Sequence, residues 1–152
     1  MTAPILIFGW GNPSRGDDAL GPRFVERVES LGLPGIDCLT DFQLQVEHAL
    51  DLAGRLRILF VDASLDAAAP FTVSPLSPAR DDSFSTHAIN PAAVMQVYAD
   101  LHDAPPPPCT QLAIRGERFE LGDDLTPAAC QHLDAAIDWV LEWLATIDTS
   151  TF

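Results

Sequence analysis

Along this chain, short solid apolar runs alternate with stretches in which apolar residues return every three or four positions. The segment 4–9 (PILIFG) is apolar, rich in branched side chains and closed by glycine, which predicts a buried strand. From 19 to about 31, Leu20, Phe24, Val28 and Leu31 recur at helical spacing. A short strand is expected over 36–40. A helix is expected over 44–53, with Val46, Leu50 and Ala53 on one face and Gly54 as its stop signal. Ile58, Leu59, Phe60 and Val61 are consecutive apolar residues, the mark of a strand buried on both faces in a parallel sheet.

Beyond that strand the pattern weakens. Prolines and the Asp81/Asp82 pair predict an exposed loop over most of 64–90, with an edge strand at 71–74. Asn90 followed by Pro91 forms an N-cap and first-turn pair. The helix behind it carries Val94, Val97, Tyr98 and Leu101 on one stripe. Four prolines at 105–108 predict a stiff, extended connector. A strand is expected at 111–114. Thr126 and Pro127 open a last helix on which Leu133, Ile137, Val140, Leu141 and Leu144 keep helical spacing. No internal repeat or domain boundary interrupts this order. The expectation is a single α/β domain over 1–152, a three-layer α/β/α arrangement with a mostly parallel sheet of about five strands.

Composition narrows the function. The 152 residues suit one domain, and 47% hydrophobic content is ample for one core. No apolar run is long enough to span a bilayer. The first four residues lead straight into a strand with no basic region or small-residue cleavage site, so a cytoplasmic protein is expected. The formal net charge is -14, with no lysine and eight arginines scattered from Arg15 to Arg118. Nucleic-acid binding needs a basic face and is excluded, and anionic membranes are disfavoured. Cys38, Cys109 and Cys130 stand far apart, with no CxxC pair, and are expected to pack as small residues.

In open α/β sheets, sites form beyond the C-terminal ends of the strands. The first strand runs into Gly9-Trp10-Gly11-Asn12-Pro13-Ser14-Arg15-Gly16-Asp17-Asp18, and the central strand is expected to end at Asp62. Gly9 and Gly11 match the start of GxGxxG, but Ser14 stands at the third glycine, and Asp17 and Asp18 would repel a pyrophosphate. One acid of that pair suits helix capping, whereas two exceed what capping needs. Asp62 alone suits an Asx turn, and His87 alone an ordinary loop position. Together, two rim carboxylates and a histidine from a polar loop form a mixed oxygen–nitrogen set for a divalent metal. His48, His102 and His132 are assigned no role. There is no HExxH, no GxSxG, no nucleophilic cysteine signal and no pepsin-type dyad.

The opening GxGN turn, followed by Asp17-Asp18-Ala19-Leu20-Gly21, resembles the signature of hydrogenase maturation peptidases. In that family a strand leads to GxGN, an acidic pair, and a glycine three residues after the second acid. Gly21 sets the register, so the resemblance places the family's first metal-ligand acid at Asp18. Leu59-Phe60-Val61-Asp62-Ala63 is similar to the second ligand motif, and Ser85-Thr86-His87 to the third. The resemblance runs over nearly the whole chain. It departs at Asp41-Phe42-Gln43, where family members commonly follow the acid with a Gly-Gly-Thr turn, and this implies a distinct subgroup.

The resemblance implies an endopeptidase that removes the C-terminal extension of an immature nickel–iron hydrogenase large subunit. Asp18, Asp62 and His87 would recognise nickel already held by that substrate. No metal is expected to be held permanently, although zinc or cadmium is expected to occupy the site in vitro. The protein is expected to act as a monomer. Peptidyl-tRNA hydrolase shares a GxGNP-like turn, but its following tyrosine and Thr-Arg-His-Asn run are missing here, as is any basic surface. A non-catalytic chaperone that checks nickel loading is the alternative from another class.

Overall fold

The computed structural model describes residues 2–80 and 89–150. Five strands build one sheet in the order β2-β1-β3-β5-β4. They are β1 (Ile5–Trp10), β2 (Ile36–Asp41), β3 (Arg57–Ser64), β4 (Phe71–Leu76) and β5 (Cys109–Arg115). All pairings are parallel except that of β4 with β5. The helices are α1 (Leu20–Ser30), α2 (Pro91–His102) and α3 (Pro127–Ala145), with 3-10 turns at Gly16–Ala19 and Val46–Leu52.

The alternation of side chains along each strand sorts the core into two layers. Ile5, Ile7, Leu59, Val61, Leu112 and Ile114 point to one face and pack with Phe24 and Val28 of α1 and Leu133 and Val140 of α3. Leu6, Phe8, Ile58, Phe60 and Cys109 point to the other, under Val94 and Met95 of α2 and Ala49 and Leu52 of the second 3-10 turn. The expected three-layer α/β/α architecture with a mostly parallel five-stranded sheet is therefore present. Asn90 and Thr126 cap α2 and α3 as expected, accepting from the backbone N–H of Ala93 (2.8 Å) and Ala129 (3.2 Å).

Three expectations need correction. The segment 44–53 is not an α-helix but a 3-10 turn, in which residues three apart share a face. Its buried residues are accordingly Ala49 and Leu52, with Leu44 ahead of them, while Val46 and Leu50 are exposed. The strand expected at 71–74 continues to Leu76, because Pro75 is tolerated on an edge strand. The central strand does not end at Asp62 but runs on to Ser64, so Asp62 is a ladder residue opposite Ala113 rather than a turn-former.

Candidate active site

Strand order reverses between β1 and β3, and the crevice at that reversal opens at the strands' C-terminal ends. The chain reaches it through backbone packed on backbone. A Cβ at Gly21 would press into the Trp10 carbonyl oxygen and lie 2.9 Å from that of Val61. A Cβ at Gly11, at φ +146, would press still harder into the Asp18 carbonyl oxygen. The glycines of the motif thus let the first turn of α1 sit directly on the ends of β1 and β3, and this sets Asp18 beside Asp62.

Asp18 Oδ2 accepts the backbone N–H of Asn12 at 2.9 Å, which fixes the turn before it. Asp62 is different. Its Oδ1 is buried and has no hydrogen-bond partner among the described residues. Burial pushes its carboxyl up to about 6, the side-chain amide of Gln111 opposes that rise, and the charge of Asp18 adds to it. A buried carboxylate oxygen without a donor is costly in an apolar wall, yet it suits a site that receives a cation.

Asp17, its neighbour in the acidic pair, has another task. It is fully buried and does not cap its own turn, where no side-chain cap exists. It accepts from the backbone N–H of Glu117 (2.7 Å), Arg118 (3.3 Å) and Thr126 (2.7 Å) and from the Thr126 hydroxyl (2.8 Å). Burial pushes its carboxyl up, but these four donors outweigh burial and hold it below the ordinary carboxylate range. One acid of the pair was expected to cap a helix, and Asp17 does not do so. It clamps a distant segment instead.

Asp41 closes the same rim at the end of β2. Its Oδ1 accepts the N–H of Phe42 at 2.7 Å, and its Oδ2 lies 3.2 Å from His48 Nε2. His48 Nδ1 accepts the N–H of Gln45 at 2.8 Å, so the ring proton of the neutral imidazole sits on Nε2 and is donated to Asp41. This pair ties the second 3-10 turn to β2. A cleft of about 210 Å³ lies alongside, lined by Gly11, Pro13, Pro22, Glu26, Thr40, Asp41 and Phe42, with neither Asp18 nor Asp62 in its wall. His102 and His132 each place Nδ1 on a backbone carbonyl, at Tyr98 and Arg115.

His87, the third expected ligand, lies outside the described residues. Among the described residues no three His, Cys, Asp or Glu side chains group closely enough to hold a metal ion. The structure therefore brings together Asp18 and Asp62 of the expected set. Sequence reasoning overlooked the clamp made by Asp17, whose partners lie 100 and more residues away. No helix among the described residues is long and apolar enough to cross a membrane.

Neither a protein-family model nor a curated protein sequence matches the chain. Solved structures do. The [NiFe] hydrogenase maturation protease HycI of Thermococcus kodakarensis superposes with a TM-score of 0.73 at 19% identity, over 92% of this chain and 91% of that one. The hydrogenase maturating endopeptidase HybD of Escherichia coli follows at 0.72 and 24% identity, over 93% and 92%. A solution structure of an endopeptidase from Escherichia coli gives 0.68 at 26% identity, over 91% and 90%. The fold of this chain is the one seen in hydrogenase maturation proteases.

Proposed function

We propose that the protein is an endopeptidase that removes the C-terminal extension of a nickel-loaded [NiFe] hydrogenase large-subunit precursor. The observation that carries this reading is the buried Oδ1 of Asp62, without a partner among the described residues, beside Asp18 at the sheet's C-terminal rim. The family signature around Asp18 and the fold shared with hydrogenase maturation proteases support it.

Asp18 and Asp62, joined by His87, bind nickel that the precursor already contains. The ion is part of the substrate, and the peptidase keeps no metal of its own. Two carboxylates and an imidazole suit a nickel ion with open positions. Nickel held there polarises the scissile carbonyl or lowers the pKa of the attacking water, and water then splits the peptide bond. The acidic surface, at net charge -14, fits a protein partner and not a nucleic acid.

The test is to incubate the protein with nickel-loaded and nickel-free precursor and to follow the released C-terminal peptide by mass spectrometry. Release from the loaded form alone is expected. Complex formation without any release would replace the peptidase by the nickel-checking chaperone.

A further inference from the structure

We infer that the free edge of β2 receives the precursor's C-terminal segment as an added, extended strand, laid in a furrow between β2 and α1 that ends beside Asp18. The inference rests on the peptidase reading above and deepens it by naming how the substrate chain is held.

β2 is an outer strand of the sheet and pairs only with β1. The bonds at the two ends of that pairing run from Ile5 N–H to Gly35 O (3.2 Å) and from Gly11 N–H to Asp41 O (3.1 Å). In a parallel ladder this phase turns the backbone of Asp37, Leu39 and Asp41 toward β1. The N–H and C=O groups of Ile36, Cys38 and Thr40 therefore point away from the sheet. Among the described residues no turn or loop backbone bonds to those outward groups. β2 carries neither proline nor bulge, whereas β4, the other outer strand, carries Pro75, a device that discourages strand addition.

Two hollows lie end to end along this edge. One, of about 280 Å³, has Ile36 and Cys38 on its strand side and Val28 and Glu29 on its helix side. The other is the cleft of about 210 Å³ at the rim, with Thr40 on the strand and Pro22 and Glu26 on the helix. Pro22, Glu26 and Glu29 are spaced by four and three residues and share one stripe of α1. Ile36, Cys38 and Thr40 share one face of β2. The hollows thus form a single furrow. Gly11 stands at its rim end, where a Cβ would lie 3.3 Å from Asp18 Oδ1.

An added strand draws affinity from main-chain hydrogen bonds and register from alternate side chains that enter pockets. The outward groups of every second β2 residue supply the first, and the two hollows supply the second. The stretch from Ile36 to Thr40 is roughly 13 Å long, enough for about four or five substrate residues. Glu26, Glu29 and Asp41 line the furrow, so the segment it suits carries lysine or arginine.

The first arm measures processing of nickel-loaded precursor by the full chain. Thr40→Pro removes an outward N–H without touching the ladder to β1, and Thr40→Ala keeps it. Thr40→Pro that melts like the native protein is expected to raise KM about tenfold with kcat unchanged, as loss of roughly one hydrogen bond implies. Thr40→Ala is expected to match the native protein, and KM to rise with added salt. The second arm needs no variant. A synthetic peptide spanning the precursor's cut site and extension, free of nickel, is added to the native protein, and amide exchange is read by NMR. The amides of Ile36, Cys38 and Thr40 are expected to slow. Native KM in a folded Thr40→Pro, or exchange at those three amides unchanged by the peptide, would overturn strand addition, while release from loaded precursor would leave the peptidase intact. A KM indifferent to salt would overturn the cationic character of the segment. No release by the native protein would overturn the peptidase reading, and the inference with it.

Discussion

Gly21, in the first turn of α1, lies directly against the carbonyl oxygen of Trp10 at the end of β1. No side chain fits between them. Gly21→Ala therefore has nowhere to relax, since the atoms it meets belong to backbone on two strands. A loss of roughly 3 kcal/mol in urea unfolding is expected, at the upper end of ordinary overpacking. A loss below about 0.5 kcal/mol would mean that helix and strand separate easily, and that the glycine does not set the position of Asp18.

Asp18→Asn keeps an oxygen that can accept the Asn12 N–H, so its melting temperature should match that of the native protein. Precursor processing should fall at least as far as loss of an outer-shell metal partner costs, roughly 10–100-fold. Native processing rates would return Asp18 to a role in fixing the turn alone.

Asp62 makes two pH-dependent predictions. Burial raises its folded value to about 6 from 3.8, so its contribution to stability is fully present below 3.8 and lost as pH rises through about 6. Asp62→Asn removes that slope, and at pH 7 the variant should be more stable than the native protein by up to about 3 kcal/mol. Cadmium competes with the proton on the same carboxyl, so its affinity should be about tenfold weaker at pH 5 than at pH 7. Parallel stability curves for the two proteins between pH 4 and 7 would contradict the burial of this carboxylate.

Asp17→Asn tests the clamp. An asparagine offers one accepting oxygen to a set of four donors, and its own NH2 group faces at least one of them. Breaking such a buried charged network should cost about 2–4 kcal/mol, read from chemical denaturation. The native carboxyl is held below its unfolded value, so its stabilisation is present above 3.8 and fades as pH falls through the folded value. The gap between native protein and variant should therefore close in acid. A gap that persists unchanged at low pH would assign the loss to packing and not to charge.

Much of the fold was legible because its signals are local. Ile58 to Val61 and residues 4–9 are unbroken apolar runs, and Asn90-Pro91 and Thr126-Pro127 carry their caps with them. The second 3-10 turn was misread because a three-residue period and a 3.6-residue period place different side chains inward over so short a span. β4 was cut short because a strand exposed on its outer edge has little apolar pattern to show. At the site, the glycines and acids of the first motif announced the crevice. The roles inside the acidic pair did not follow from spacing, since what separates Asp17 from Asp18 is a set of donors brought in from the far end of the chain.

The clamp on Asp17 also has a meaning in time. β1 and the acidic pair are synthesised early, yet the Asp17 carboxyl meets Thr126 only 109 residues later. At about 5–20 residues per second, a ribosome takes on the order of 5–20 s to cover that distance. Until then the turn that presents Asp18 has no anchor beneath it, and contacts of such long sequence separation are slow to form. A growing chain therefore carries its acidic pair in an unfinished state, and the rim gains this anchor only when the last helix begins to dock.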